Sequence, residues 1–206
     1  MRPTDQKIYL ASKSPRRREL LRQLGVDFEL LLMRDHSGRV PDVTEALHPG
    51  EAAADYVYRV TREKADAAIQ TVQVRRLPMR VILSADTTVV LGDVILGKPA
   101  DQAEAIAMLR ALSGKSHQVL TSVAVRRDAD IWQITQTSDV TFATLPEETI
   151  RAYCAGKEPY DKAGGYGIQG YAASFIAHMA GSYTGIMGLP LFETAQLLKQ
   201  AGLRLP

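Results

Sequence analysis

The chain has 206 residues, 46% hydrophobic and 23% charged, a length for one domain and a composition that excludes both a disordered chain and a coiled coil. No apolar run approaches the roughly 20 residues that span a bilayer, no signal-peptide core follows the polar N-terminus, and the single cysteine, Cys154, permits neither an internal disulfide nor a cysteine metal cluster. The expectation is a soluble cytoplasmic protein, one domain over residues 1–206, whose net charge of +2 is too small for a general nucleic-acid binder. Residues 1–40 nevertheless hold nine Lys/Arg against five acids, an excess that wants an anion.

Ile8 to Leu10 reads as a short strand that runs into Ala11-Ser12-Lys13-Ser14-Pro15. Leu20, Leu21 and Leu24 then recur at helical spacing, with Ser14 as N-cap, Pro15 as first helical residue and Gly25 as stop. Phe28 to Leu32 looks like a second strand, Met33 to Pro49 a polar loop, and Glu51 to Ile69 a long helix. Val81 to Ala85 is a β-rich run, and Gly92-Asp93 between Val89–Leu91 and Val94–Leu96 is a hairpin signal. Asp101 to Leu112 is helical, with Asp101 and Glu104 at capping-box spacing. Gln118 to Val125 and Ile131 to Phe142 read as paired antiparallel strands. Pro146 to Ala155 reads as a short helix, Gly156 to Gly170 as a Gly-rich loop, Phe175 to His178 as a strand and Leu191 to Ala201 as the last helix.

Two nucleotide motifs match by letter and fail by context. Gly92 to Pro99 has the glycine and lysine spacing of a phosphate-binding P-loop, but its middle is a β-rich Val-Ile-Leu run and Pro99 stands where a Ser or Thr should hold Mg²⁺. Gly165-Tyr-Gly167-Ile-Gln-Gly170 matches the dinucleotide fingerprint, yet no buried strand precedes it.

Several charges sit where a purely structural role is awkward. Arg16, Arg17 and Arg18 occupy the first turn of a helix, where the macrodipole is already positive. Arg17 projects along the Leu20-Leu21-Leu24 stripe, Arg16 lies at its edge, and Arg18 and Arg22 point outward. Free N–H groups, an N-cap hydroxyl and the Arg16 and Arg17 guanidinium groups together suit a phosphate. Lys64 falls within the apolar stripe of its helix, where it must either snorkel or meet an anion. Asp86 follows the most strand-like run in the chain and should emerge at that strand's carboxyl end, either to cap a turn or to hold a metal and activate water. Lys98, between Gly97 and Pro99, is either a surface lysine or a fixed phosphate contact. The four histidines lack ligand spacing, and Cys154 reads as packing.

Ile8-Tyr-Leu-Ala-Ser12-Lys-Ser14-Pro15-Arg16-Arg17-Arg18-Glu-Leu-Leu, Arg62-Glu-Lys64-Ala, Ser84-Ala-Asp86-Thr87, Gly97-Lys98-Pro99, Leu112-Ser-Gly114, Asp161-Lys-Ala-Gly-Gly-Tyr-Gly-Ile-Gln169-Gly170 and Gly188-Leu-Pro190-Leu resemble, in order, the blocks of Maf-type nucleotide pyrophosphatases. The resemblance implies an α/β fold of the inosine-triphosphate pyrophosphatase-like kind, a long mixed sheet with flanking helices in two lobes around a cleft. It also implies a house-cleaning hydrolase, dependent on a divalent cation (Mg²⁺, Mn²⁺ or Co²⁺) and usually a homodimer, that cleaves nucleoside triphosphates to the monophosphate and pyrophosphate. By position, Asp86 corresponds to the catalytic carboxylate and metal contact, Lys64 and Lys98 to phosphate-gripping lysines, and Ser12, Arg16 and Arg17 to the phosphate loop. Arg16, Thr87 and Gln169 match the subgroup that cleaves dTTP and UTP, whereas the 7-methyl-GTP subgroup typically has Tyr, Gln and Glu there. The amide of Gln169 offers a donor and an acceptor that complement O4 and N3–H of uracil or thymine.

One departure stands out: the family's metal-holding glutamate shortly after the second strand has no counterpart in Met33 to Gly38, which leaves Asp35 as the nearest carboxylate. The competing readings are a 7-methyl-GTP pyrophosphatase of the same family and a non-catalytic nucleotide-binding regulator of cell division. Neither a membrane nor a stable nucleic-acid partner is expected.

Overall fold

The structure, a computed structural model, describes residues 6–32 and 43–205. In chain order its elements are β1 (Ile8–Leu10), α1 (Pro15–Gln23), β2 (Phe28–Leu30), α2 (Ala53–Val74), β3 (Ile82–Leu91), β4 (Val94–Leu96), α3 (Gln102–Leu112), β5 (Ser116–Arg127), β6 (Asp130–Phe142), α4 (Glu147–Cys154), β7 (Ile176–Ala180), α5 (Tyr183–Ile186) and α6 (Leu191–Gln200). The sheet runs β2-β1-β3-β5-β6-β7, with β4 paired to β3. β2, β1 and β3 are mutually parallel, and β3 is antiparallel to β5 and β4. This is the long mixed sheet with flanking helices that the resemblance implies.

Local chemistry explains the helix ends. The Ser14 hydroxyl accepts the Arg17 N–H at 3.4 Å, Pro15 opens α1 where its missing N–H has no intrahelical partner to lose, and Gly25 turns the chain at φ 68°. At α3 the Asp101 carboxylate accepts the Glu104 N–H at 2.9 Å. The return bond of the capping pair lands one residue early: Glu104 accepts from Ala100 N at 2.7 Å. Helix α2 runs past the expected end at Ile69 to Val74 because Val72, one turn on from Ile69, is fully buried, and that burial overrides the weak helix propensity of β-branched residues. The four residues of α5 were not anticipated, since one turn is too short to show a period; the Ser182 hydroxyl caps it, accepting from Gly185 N at 3.0 Å.

Strand β3 also differs from expectation. The two β-rich runs merge into one continuous strand, Ile82–Leu91, paired with β5 without interruption from Ile82 opposite Arg126 to Val90 opposite Gln118. Asp86 therefore lies in mid-strand, not at a strand's carboxyl end. The end that matters belongs to β1, whose pairing with β3 stops at Leu10 opposite Leu83. On that same edge the pairing of β3 with β4 begins only at Val89. Between Ser84 and Thr88 the edge of β3 is uncovered, and a crevice beyond a parallel strand's carboxyl end is where α/β sheets take ligands.

The core divides at the same point. On one face of β3, Leu83 and Ala85 pack with Leu20, Leu21, Leu189 and Leu198 in a cluster built from α1 and α6. Val89, two side chains further on, packs with Leu109, Leu112, Phe142, Ile150 and Phe175 against α3 and α4. Thr87 lies between the two lobes. The other face is covered by α2, through Ala68, Ile69 and Val72 over Ile82, and Val57 over Val90 and Leu120.

Candidate active site

The gap beside β3 opens into a cleft of about 820 Å³. Its wall includes Asp86, Ser12, Arg16, Arg17, Lys64, Thr87, Lys98 and Gln169, which are all the expected site residues except Asp35. Asp35 lies outside the described residues.

Strand alternation assigns Asp86 and Thr87 to opposite faces of the sheet. Ser84 and Asp86 face α2, one turn of which carries Thr61 and Lys64 at matching spacing. The Ser84 hydroxyl donates to Thr61 O at 3.1 Å, and Lys64 Nζ donates to Asp86 Oδ1 at 2.7 Å. Lys64 thus meets an anion instead of snorkelling, with its side chain only 13% exposed. Its ammonium is shared: Glu45 Oε1 also lies 2.7 Å from Nζ. Burial by itself would raise the Glu45 carboxyl, but Lys64, with Lys98 and Arg17 adding to it, outweighs that and holds it below its ordinary value.

Thr87, on the other face, belongs to the α1 side. Its hydroxyl accepts from Arg17 Nη2 at 3.1 Å and is 2.9 Å from the Thr121 hydroxyl, which donates to Gly185 O. Arg17 Nε donates to Gly188 O at 2.7 Å and Nη1 to Ser12 Oγ at 3.4 Å. The guanidinium that follows the leucine stripe is accordingly a bridge between α1, β3 and the turn before α6. Burial lowers its pKa, with Asp86 opposing that effect. The first turn of α1 carries no acid, so the positive end of the helix, the Ser12 and Ser14 hydroxyls and Arg16 leave a positive, anion-seeking surface in the cleft. Arg16 reaches the far wall, its Nη1 3.4 Å from Asp161 Oδ2. Arg22 is exposed over the Phe28 ring, as its position on the helix predicts, whereas Arg18 is half-buried.

Gln169 is exposed in the cleft on an irregular segment of short 3-10 turns. That segment is pinned at both ends. Gly164 N donates to Gly97 O at 2.9 Å, which ties it to the Lys98 turn. Tyr166 is buried against Phe142, with its hydroxyl 2.6 Å from His117 Nε2. Past Gln169, the Glu158 carboxylate accepts from Tyr171 N at 2.9 Å, Ala172 N at 3.3 Å and the Tyr153 hydroxyl at 3.1 Å. A Cβ on Gly170 would stand 2.1 Å from Glu158 Oε1, so the chain can wrap this carboxylate only with glycine there. The rejected motifs stay rejected: Gly92 to Leu96 is the β3–β4 hairpin, and no strand leads into Gly165.

Glu45 is the functional candidate that sequence reasoning missed. It lies well beyond the Met33–Gly38 window, and its place beside Asp86 is set by folding of the loop back onto α2, which no spacing reveals. With it, the donor set fits a divalent cation of the Mg²⁺ type. Among the described residues no group of three or more His, Cys, Asp and Glu side chains gathers, but two carboxylates do, and hard cations of this kind are commonly held by one or two carboxylates together with substrate phosphates and water.

Comparison with known proteins places this arrangement. Residues 7–201 match the family described as Maf-like protein. The dTTP/UTP pyrophosphatase of Aromatoleum aromaticum is 53% identical over 203 residues, covering 98% of each chain. That of Cupriavidus metallidurans is 55% identical over 196 residues, covering 95% of this chain and 97% of the relative. Among solved structures, the Staphylococcus aureus Ham1 protein superposes with a TM-score of 0.44 at 14% identity, over 66% of this chain and 72% of its own. With a family match across nearly all of its length and relatives at half identity, the chain belongs to the Maf family.

Proposed function

We propose that the chain is a nucleoside-triphosphate pyrophosphatase that hydrolyses dTTP and UTP to the monophosphate and pyrophosphate. The observation that carries this reading is the Lys64 ammonium set between Asp86 and Glu45 in the same cleft as the α1 N-terminus. Hydrolysis at the α-phosphorus needs a water deprotonated on one side and a pyrophosphate leaving group neutralised on the other. Asp86, the more buried carboxylate, would orient the water and take its proton. Lys64, Lys98, Arg16 and the positive N-terminal end of α1 supply positive charge to the phosphates, while Arg17 fixes the loop that carries Ser12. Asp86 and Glu45 would hold a divalent cation, Mg²⁺, Mn²⁺ or Co²⁺, which when bound polarises the phosphate oxygens.

The base falls to the Gln169 segment, whose side-chain amide complements the O4 and N3–H edge of a uracil or thymine. The names borne by the half-identical relatives support the same substrates. Among the described residues no helix is long and apolar enough to cross a membrane. The reading extends to a single-domain chain acting as a homodimer, the family's usual form, in the cytoplasm, a reducing compartment that suits a free, buried cysteine. A turnover screen that follows pyrophosphate release tests the assignment. It predicts a higher kcat/KM for dTTP and UTP than for 7-methyl-GTP, and the reverse ranking, or nucleotide binding without turnover, contradicts it.

A further inference from the structure

Glu45 is carried by a surface segment and not by a helix or strand, and its side chain is half exposed. Something other than secondary structure must hold it beside Asp86. Two α2 side chains do so. The Tyr56 hydroxyl donates to the Glu45 carbonyl at 3.1 Å, and Arg59 Nη2 donates to the carbonyl of the next residue, Ala46, at 3.0 Å. The rest of the Arg59 guanidinium closes the loop. Nε and Nη2 donate to the two oxygens of Glu51 at 2.6 and 2.8 Å, and Nη1 donates to Glu63 at 3.0 Å. Glu51 in turn accepts from His48 N at 3.1 Å, while Gly50 makes the turn between them at φ 72°. The Arg59 bonds hold the Glu51 carboxyl down at about 2, so the clamp stays charged across the working pH range.

We propose that Arg59, locked on Glu51, is a positioning residue that fixes Glu45 beside Asp86 and thereby sets the affinity of the cleft for a divalent cation. This rests on the metal-holding role given to Glu45 above. Only a planar fork can bridge Glu51 in bidentate fashion while also reaching Glu63 and the Ala46 carbonyl; a lysine keeps the charge and loses the geometry. Partners outside the ligand set typically change metal affinity by about 10–100-fold.

The test is Mn²⁺ binding to the full chain, read from the electron paramagnetic resonance of the free ion, with circular dichroism to confirm that each variant is folded. Arg59→Lys and Glu51→Gln should each weaken Mn²⁺ binding by roughly tenfold, and Glu45→Gln by at least as much. Because Arg59 acts through Glu45, adding Arg59→Lys to Glu45→Gln should cost little more. Wild-type affinity in both Arg59→Lys and Glu51→Gln while Glu45→Gln binds weakly overturns the clamp alone, as does a full additional loss in the double variant. Unchanged affinity in Glu45→Gln removes the metal role of Glu45 itself, and the clamp's proposed consequence falls with it.

Discussion

Asp86 and Lys64 meet because regular elements carry them: β3 is paired to β5 along its length, and α2 is tied to the same strand by Ser84 and Thr61. Gln169 and Glu45, in the same cleft, ride on irregular chain held by side chains, one by Glu158 and Tyr166 and the other by Arg59 and Tyr56. The reacting groups are thus fixed by backbone hydrogen bonding, while the groups assigned to base recognition and to the second metal contact depend on a few clamps. Precision at the reacting phosphorus tolerates little displacement, whereas irregular segments can vary their readout without disturbing the scaffold.

Breaking the rigid half should have the largest effect. Asp86→Asn keeps the shape of the side chain but removes the charge that orients and deprotonates water, so turnover should fall by about 10²–10⁴ with nucleotide binding largely retained. Steady-state kinetics beside a direct binding titration separates the two, and turnover within a few-fold of wild type would remove Asp86 from the chemistry.

The contact from β5 that holds Tyr166, and through it the Gln169 segment, should be acid-sensitive. His117 is buried among Phe142 and Tyr166, and burial lowers its pKa from 6.5 to about 4. Among the described residues its Nδ1 has no hydrogen-bond partner. The unfolded chain takes up the proton near pH 6.5 and the folded chain only near pH 4. This contribution is therefore fully present above pH 6.5 and is lost as the pH falls toward 4. Over that window a shift of this size is worth about 3 kcal/mol. Denaturant midpoints between pH 7 and pH 5, above the range where carboxyl groups titrate, should fall for the wild type and stay nearly level for His117→Asn. Equal slopes would show that His117 does not carry the effect.

A smaller change is expected where the clamped loop touches substrate. In Gln169→Glu an ionised carboxylate offers no donor to O4, and such a mismatch costs about 1–3 kcal/mol. The ratio of kcat/KM for dTTP to that for 7-methyl-GTP should fall by about tenfold or more. An unchanged ratio would place base recognition elsewhere in the cleft.

The same division governs what could be read in the sequence. The Leu20-Leu21-Leu24 stripe, the Ser14-Pro15 start of α1 and the Gly92-Asp93 turn are local signals, and the structure bears them out. Arg16 and Arg17 in the first turn of α1 and the lysine within the stripe of α2 stand against local energetics, and these three line the cleft, whereas Arg18, in the same turn, does not. The β-rich run before Asp86 points to it but suggests a strand's end, because the pairing with β5 that carries β3 onward lies far along the chain. Glu45 was invisible for the same kind of reason. A loop's path has no period, and the Arg59–Glu51 clamp that directs it joins residues whose charges look like an ordinary helix surface. The hydroxyl bond from Thr87 to Arg17 was likewise hidden, since it crosses from β3 to α1.

The central claim is that the phosphate-binding charges of α1 and α2 and the Asp86 carboxylate together direct water to the α-phosphorus. Hydrolysis of dTTP in ¹⁸O-enriched water, with both products analysed by mass spectrometry, tests it most directly. The account predicts one ¹⁸O in the thymidine monophosphate and none in the pyrophosphate. Label in the pyrophosphate, or orthophosphate carrying it, would contradict the account and place the attack at another phosphorus.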